Sequence, residues 1–228
     1  MMSPEISVIV PAFNEEAYLP ATLESLQHQT LQSFEVIVVA NGCTDRTADV
    51  ARSFSAVVAE LGNSNTSAAR NKGASMAQTE RFAFLDADTP LSPNALEEIC
   101  KFLAENDDRL VGTCRMEPEH KHARAIALAR VKNTLHCVGI PWGGSGLIFC
   151  HKALFEEVRF NERMRFREDG NFLRSATHLV GARYYCLSTC YSVPSLRKFE
   201  AQGYVRYGAR WLRDWARAEK DRVVSGGR

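Results

Sequence analysis

The 228-residue chain lacks a dominant charge: 28 Lys and Arg stand against 27 Asp and Glu, a formal net charge of +1. That balance gives no bulk attraction to DNA or RNA, which points away from nucleic acid as a partner. Seven cysteines are present but no Cys-x-x-Cys spacing. A four-thiolate zinc ribbon therefore has no frame, and a full disulfide set would strand one thiol. Reduced thiols acting as small core hydrophobes are the simpler reading, and with them a cytoplasmic location. No apolar run approaches the roughly 20 residues needed to span a bilayer. Met1 to Glu5 has neither the basic flank nor the apolar stretch of a secretory leader. A peripheral place at the inner face of a membrane stays open. No internal repeat occurs, and a chain that is 45% hydrophobic with 14 Gly and 8 Pro is neither low-complexity nor disordered in composition.

What is present is an alternation of short apolar runs with helical patterns. Ile6 to Val10, Glu35 to Ala40, Ala56 to Ala59 and Phe82 to Leu85 read as strands, and the most apolar of them as covered on both faces. Between them lie a helix with Leu19, Leu23 and Leu26 on one face, a helix from Asp45 to Phe54 capped by Thr44, and an alanine-rich helix from Ser64 to Ala77 weakened by Gly73. Ser92-Pro93 opens another helix, to about Leu103. Further on, a strand at Leu110 to Cys114 precedes a polar and then helical stretch to residue 138, and a loop runs from Gly139 to Gly146. A strand at Leu147 to Cys150, a helix from Glu168 to about His178 and a strand at Ala182 to Leu187 follow. The final helix, Phe199 to Arg222, sets Tyr204, Tyr207, Trp211 and Trp215 on one face, for packing on the domain or for a membrane interface. Such βαβ alternation predicts an α/β fold, a mostly parallel central sheet with helices on both faces. No linker divides it, so residues 1–228 read as one domain with lobes 1–114 and 115–228.

In open sheets of this kind the ligand lies outside the carboxyl ends of the strands. Pro11 to Glu15, Asn41, and Asp86 with Asp88 all sit at expected strand ends. In an extended segment Asp86 and Asp88 face one spot while Ala87 faces another. Two hard oxygen ligands suit Mg²⁺ or Mn²⁺, whose remaining positions go to water and substrate phosphates. Asp-x-Asp alone is a weak signal, because it also arises by chance and in turns.

The combination is more specific. Ser7-Val8-Ile9-Val10-Pro11-Ala12-Phe13-Asn14-Glu15, Leu26-x-x-Gln29-Thr30, Val38 to Asp45, Ala69-Arg70-Asn71-x-Gly73, Phe84 to Asp88 and Glu168-Asp169 occur in order from residue 6 to residue 170. Together they resemble the family-2 glycosyltransferases, enzymes with the GT-A nucleotide-diphospho-sugar transferase fold. Ser195-x-Arg197-Lys198-Phe199 looks like the tail of a bacterial subgroup. The resemblance implies an inverting enzyme that moves one sugar from a UDP- or GDP-linked donor to an acceptor hydroxyl, with lobe 1–114 holding the donor and 115–228 the acceptor. It implies that Pro11, Ala12, Phe13 and Glu15 border the nucleotide, that Asn41 lies at the base, and that Arg70 meets the nucleotide or its diphosphate. Asp86, Ala87 and Asp88 would complete the donor site, Asp88 and Asp86 ligating a divalent metal. Asp169 would be the general base. A lipid-linked molecule or a small glycoside is the expected acceptor, with Trp142, Gly143, Gly144, Glu168 and Arg197 as acceptor-side candidates.

Some residues read two ways. Glu168-Asp169 also suits the positive end of a helix. Trp142 either stacks on a sugar or anchors its loop. Ser195-x-Arg197-Lys198 either holds a phosphate group or is a solvated basic segment. His120 and His122 read as loop residues, and His151 or His178 as optional metal ligands. Many relatives carry an acid where Ala40-Asn41 stands, so the base is open. Gln-x-x-Arg-Trp of polymerising synthases is absent, because Tyr207 precedes Arg210-Trp211. A sugar nucleotidyltransferase would want a Gly-rich loop after the first strand. A non-catalytic nucleotide-sugar binder is the other alternative.

Overall fold

A computed structural model describes residues 3–140, 145–164 and 167–203. One seven-stranded sheet runs through them: β1 (Ile6–Ala12), β2 (Phe34–Asn41), β3 (Val57–Leu61), β4 (Arg81–Leu85), β5 (Leu110–Met116), β6 (Leu147–His151) and β7 (Arg183–Ser192), in the spatial order β3-β2-β1-β4-β6-β5-β7. All strand pairs are parallel except those of β6, which is antiparallel to β4 and β5. The chain leaves β1 for β2 and β3, then returns to place β4 on the other side of β1. A crevice opens at that reversal, outside the carboxyl ends of β1 and β4.

The sheet is covered on both faces because its strands alternate between two cores. Ile6, Val8 and Val10 of β1, with Ala83 and Leu85 of β4, pack with α1 (Leu19–Gln27) and α4 (Ala95–Ala104). Ile9, Phe82 and Phe84 point the other way, into α6 (Lys152–Val158) and α7 (Glu168–His178). Period-two burial on both sides is what a fully covered strand requires. On that second face α3 (Thr66–Met76) lies close to the sheet, and Gly73 is the reason it can. A Cβ there would stand 2.4 Å from Ile9 Cγ2. The glycine that costs helix propensity thus permits the approach.

Three local readings change. The helix expected from Asp45 starts at Thr47 as α2 (Thr47–Ser53), because Asp45 accepts the Thr47 N–H and hydroxyl and forms a turn ahead of it. Burial pushes the Asp45 carboxyl up, but its hydrogen bonds, led by the Thr47 hydroxyl, outweigh that and hold it below the usual range. His122 is not a plain loop residue: its Nδ1 accepts from the Ala125 N–H and caps α5 (Ala123–Cys137). α6 was not expected at all, its seven residues being too few to show a period. A last short helix, α8 (Arg197–Gln202), follows β7. Among the described residues no helix is long and apolar enough to cross a membrane.

Candidate active site

The carboxyl ends of β1, β2 and β4 open onto a cleft of about 480 Å³ lined by Pro11, Phe13, Asn14, Glu15, Asn41, Ser64, Thr66, Asp86, Ala87, Asp88, Glu168 and Arg197. The loop after β4 enters it through an unexpected conformation. Ala87 and Asp88 form a turn, not an extended segment. Thr22 fastens this turn, its hydroxyl donating to the Ala87 carbonyl and accepting the Thr89 N–H. Ala87 is buried and both carboxylates still reach the same cleft.

Arg70 lies behind that wall, 4% exposed and outside the lining. Its Nη2 donates to Asp86 Oδ1 at 2.7 Å and its Nη1 to Glu168 Oε1 at 3.0 Å. The guanidinium rests 5.0 Å from the Phe160 ring centroid, and its Nε has no hydrogen-bond partner. Burial opposes the Arg70 charge, but Asp86, Glu168 and Asp169 outweigh it and strengthen the hold on the proton. Burial, abetted by the charges of Asp169 and Asp86, raises the Glu168 carboxyl above its ordinary value despite Arg70. One guanidinium shared among three carboxylates compensates each only in part. The next residue acts alongside: Asn71 donates to the Phe160 carbonyl and accepts the Phe160 N–H, pinning the segment that leads toward α7. Glu168 and Asp169 form the first turn of α7. Asp86, expected on the donor side, and Glu168, expected on the acceptor side, therefore meet through Arg70.

Arg197 joins a different pair. Its Nη2 meets both Glu15 Oε1 and, at 2.9 Å, Asp88 Oδ2, and its guanidinium lies 4.2 Å over the Tyr18 ring. Arg197, expected on the acceptor side, thus sits against acids of the loops after β1 and β4. Burial works against its charge, and Glu15 and Asp88 more than restore it.

Asn41 is 1% exposed and engaged at both ends of its amide: Nδ2 donates to the Ala12 carbonyl and Oδ1 accepts the Asn65 N–H. An aspartate could not make the first bond. Ala12 is buried outside the cleft lining, and its carbonyl accepts from Asn41 Nδ2 and from the Cys43 thiol. Sequence reading missed Ser64 and Thr66, small polar residues whose proximity depends on how α3 begins. It also missed Lys132 of α5. Burial lowers the Lys132 ammonium, while Asp169 and Asp86 counter that, so it lies within electrostatic reach of both. Trp142, Gly143, Gly144 and residues 204–228, including the aromatic face of the final helix, lie outside the described residues.

The residues present suit a divalent cation with few protein ligands. Asp86 and Asp88 offer hard oxygens to one cleft, and Glu15 Oε2 beside them is buried without a hydrogen-bond partner. Among the described residues no three His, Cys, Asp or Glu are grouped to hold a metal. That leaves the remaining positions to phosphate and water, as Mg²⁺ and Mn²⁺ tolerate. His151 does not complete the shell: it pairs with Arg81 at the start of β4, the far end from Asp86, and its Nε2 is on the Leu103 carbonyl. His178 ends α7, about 15 Å along the helix from Glu168 at 1.5 Å per residue.

The family model for glycosyl transferase family 2 matches residues 7–171. The chain belongs to that family. It is 28% identical to EpsH of Bacillus subtilis (strain 168) over 221 residues, 81% of this chain and 61% of that protein. The family-2 fold resembles S. aureus TarS 1-349 in complex with UDP (TM-score 0.69, 23% identity, 86% of this chain and 62% of that one). It also resembles mannosyltransferase PcManGT from Pyrobaculum calidifontis in complex with GDP-Man and Mn2+ (TM-score 0.69, 20% identity, 93% and 65%). The chain spans less than two thirds of the length of each of these three proteins.

Proposed function

We propose that this chain is an inverting glycosyltransferase moving a single sugar from a UDP- or GDP-linked donor to an acceptor hydroxyl. The observation that carries the reading is the Arg70 guanidinium, which ties Asp86 on the donor wall to Glu168 at the start of α7. Asp169 follows Glu168 in the first turn of α7 and its charge reaches Arg70 and Glu168, while Glu168 itself lines the cleft. On this reading the Asp169 carboxylate is the one that serves the donor's anomeric carbon. Pro11, Phe13 and Asn41 border the base; Ser64 and Thr66 extend that wall. Asp169 takes the proton of the acceptor hydroxyl, a poor nucleophile until a carboxylate is within reach. One base suffices for a single displacement with inversion, through an oxocarbenium-like state. Asp88 and Asp86 would hold a divalent cation, which when bound supplies charge neutralisation for the leaving diphosphate. Arg70 and Glu168 act by position, keeping Asp86 and Asp169 in register. The acceptor, a lipid-linked molecule or small glycoside, enters from the side of residues 115–228. The UDP bound to TarS and the GDP-Man and Mn2+ bound to PcManGT support the choice of donor class and metal.

The test combines binding and turnover. A matching nucleotide sugar with Mn²⁺ raises the unfolding temperature, the stabilisation being about 2.7 kcal/mol at a hundredfold excess over the dissociation constant. In Asp169→Asn that shift persists while turnover falls by about 10²–10⁴. Undiminished turnover in the variant removes Asp169 as base. A chain that no UDP- or GDP-sugar stabilises is not the enzyme described.

A further inference from the structure

Arg197, Glu15, Asp88 and Tyr18 form an arrangement that the reaction above does not use. Two carboxylates from the loops after the neighbouring strands β1 and β4, 13% and 15% exposed, converge on a single nitrogen, Nη2 of Arg197. Guanidinium groups ordinarily meet carboxylates through paired N–H donors, one to each oxygen of one acid. The two N–H bonds of Nη2 can serve both acids, and the same convergence of hard oxygens from separate residues on one point also suits a small cation. Glu15 Oε2, buried beside this point, has no hydrogen-bond partner. The backbone around Arg197 is stitched to the loop after β4: Val193 N–H donates to the Pro90 carbonyl and Ser195 N–H to that of Asp88. The side chain, by contrast, meets the two acids and Tyr18, which offers both its ring face and a hydrogen bond.

We propose that Arg197 is a built-in stand-in for the divalent cation: its guanidinium fills the point between Glu15 and Asp88 while the donor is absent and yields it when cation and nucleotide sugar enter together. The inference rests on the metal-assisted reading, with Asp88 the carboxylate that Arg197 and the cation would share. Its consequence is linkage. A cation arriving alone must displace a charge already paired with Asp88, so it binds weakly. A cation arriving with a diphosphate brings Arg197 a replacement anion, so each promotes the other. Arg197 is thus a positioning residue that makes loading concerted.

The test is Mn²⁺ binding to the nucleotide-free protein, followed by electron paramagnetic resonance and calorimetry. Arg197→Gln should bind Mn²⁺ about tenfold to a hundredfold more tightly than wild type, the range expected when a charge-assisted competitor is removed. Tyr18→Leu, which loosens the guanidinium without touching a charge, should move in the same direction by less. The gain should vanish in the Arg197→Gln/Asp88→Asn double variant. Equal Mn²⁺ affinity in wild type and Arg197→Gln overturns the proposal, while weaker binding of Mn²⁺ with UDP or GDP in Asp88→Asn would leave the metal reading standing. Mn²⁺·nucleotide binding indifferent to Asp88→Asn overturns both.

Discussion

Replacing Arg70 by Met tests whether the site's acids are held from behind. Met fills much of the same volume and removes the charge. In wild type the guanidinium side chain is 5% exposed, bonded at 3.0 Å to a Glu168 that is 18% exposed and at 2.7 Å to an Asp86 that is 42% exposed. Breaking a buried ion pair from one side costs roughly 3–5 kcal/mol, because the other charge is left uncompensated. The Asp86 half must be discounted, since solvent screens a carboxylate more than a third exposed. About 3 kcal/mol at pH 7 is therefore the expected loss, nearly all of it from Glu168. The pH dependence gives the sign. Burial already holds the folded-state carboxyl of Glu168 above its ordinary value, with Arg70 opposing the rise. Without Arg70 the rise grows, so the folded variant binds protons that the unfolded chain does not. Its deficit against wild type must shrink as pH falls from 7 toward 5. Urea unfolding followed by circular dichroism at both pH values, with matching slopes, measures this. A deficit under about 1 kcal/mol at pH 7, or one that widens on acidification, refutes the buried-charge argument.

His136 is 1% exposed, with Nδ1 2.5 Å from the Tyr184 hydroxyl and Nε2 3.3 Å from Ser145 Oγ. Burial first, and then the Lys132 charge, pushes it down to about 3. The unfolded chain thus takes up a proton between pH 6.5 and 3 that the folded one refuses, and stability drops by up to about 1.4 kcal/mol per pH unit in that window. His136→Gln should flatten the acid limb of the stability curve; parallel curves would show that His136 is not the group responsible. Gly73→Ala should cost about 1–3 kcal/mol by forcing α3 off β1, and in the double variant with Ile9→Ala thermal melts should show a loss smaller than the sum of the two single losses. Full additivity in the double variant would mean that the contact with Ile9 is not what requires the glycine.

The N-terminal half of the fold was readable because its signals are local. β1, β2 and β4 are short runs covered on both faces, and the polar residues that end them fall at the switch point by topology alone. Even so, the sequence could not distinguish residues that face the cleft from residues that support it. Gln29 has the look of a motif residue, yet it is 2% exposed and fastens α1 to α4 through Ser92 and Leu96. Arg70 carries the same look and lies behind the wall. Spacing records that a residue stands at a strand or helix end, where both kinds occur, and only burial separates them.

The C-terminal half was less legible for a different reason. α6 is too short for periodicity, and β6 runs antiparallel between two strands that were easy to recognise. The contact of Arg197 with Glu15 spans 182 positions. Neither residue type nor spacing could announce it, because it depends on β7 lying beside β5 and on the following segment turning back to the loop after β4. A basic residue there was equally consistent with solvent, a phosphate or an acceptor. What decides among these is which anions the fold gathers around it. The two it gathers come from the loops after β1 and β4, neighbouring strands of the sheet, so the segment after β7 is tied by side chain as well as by backbone to the loops that open the cleft.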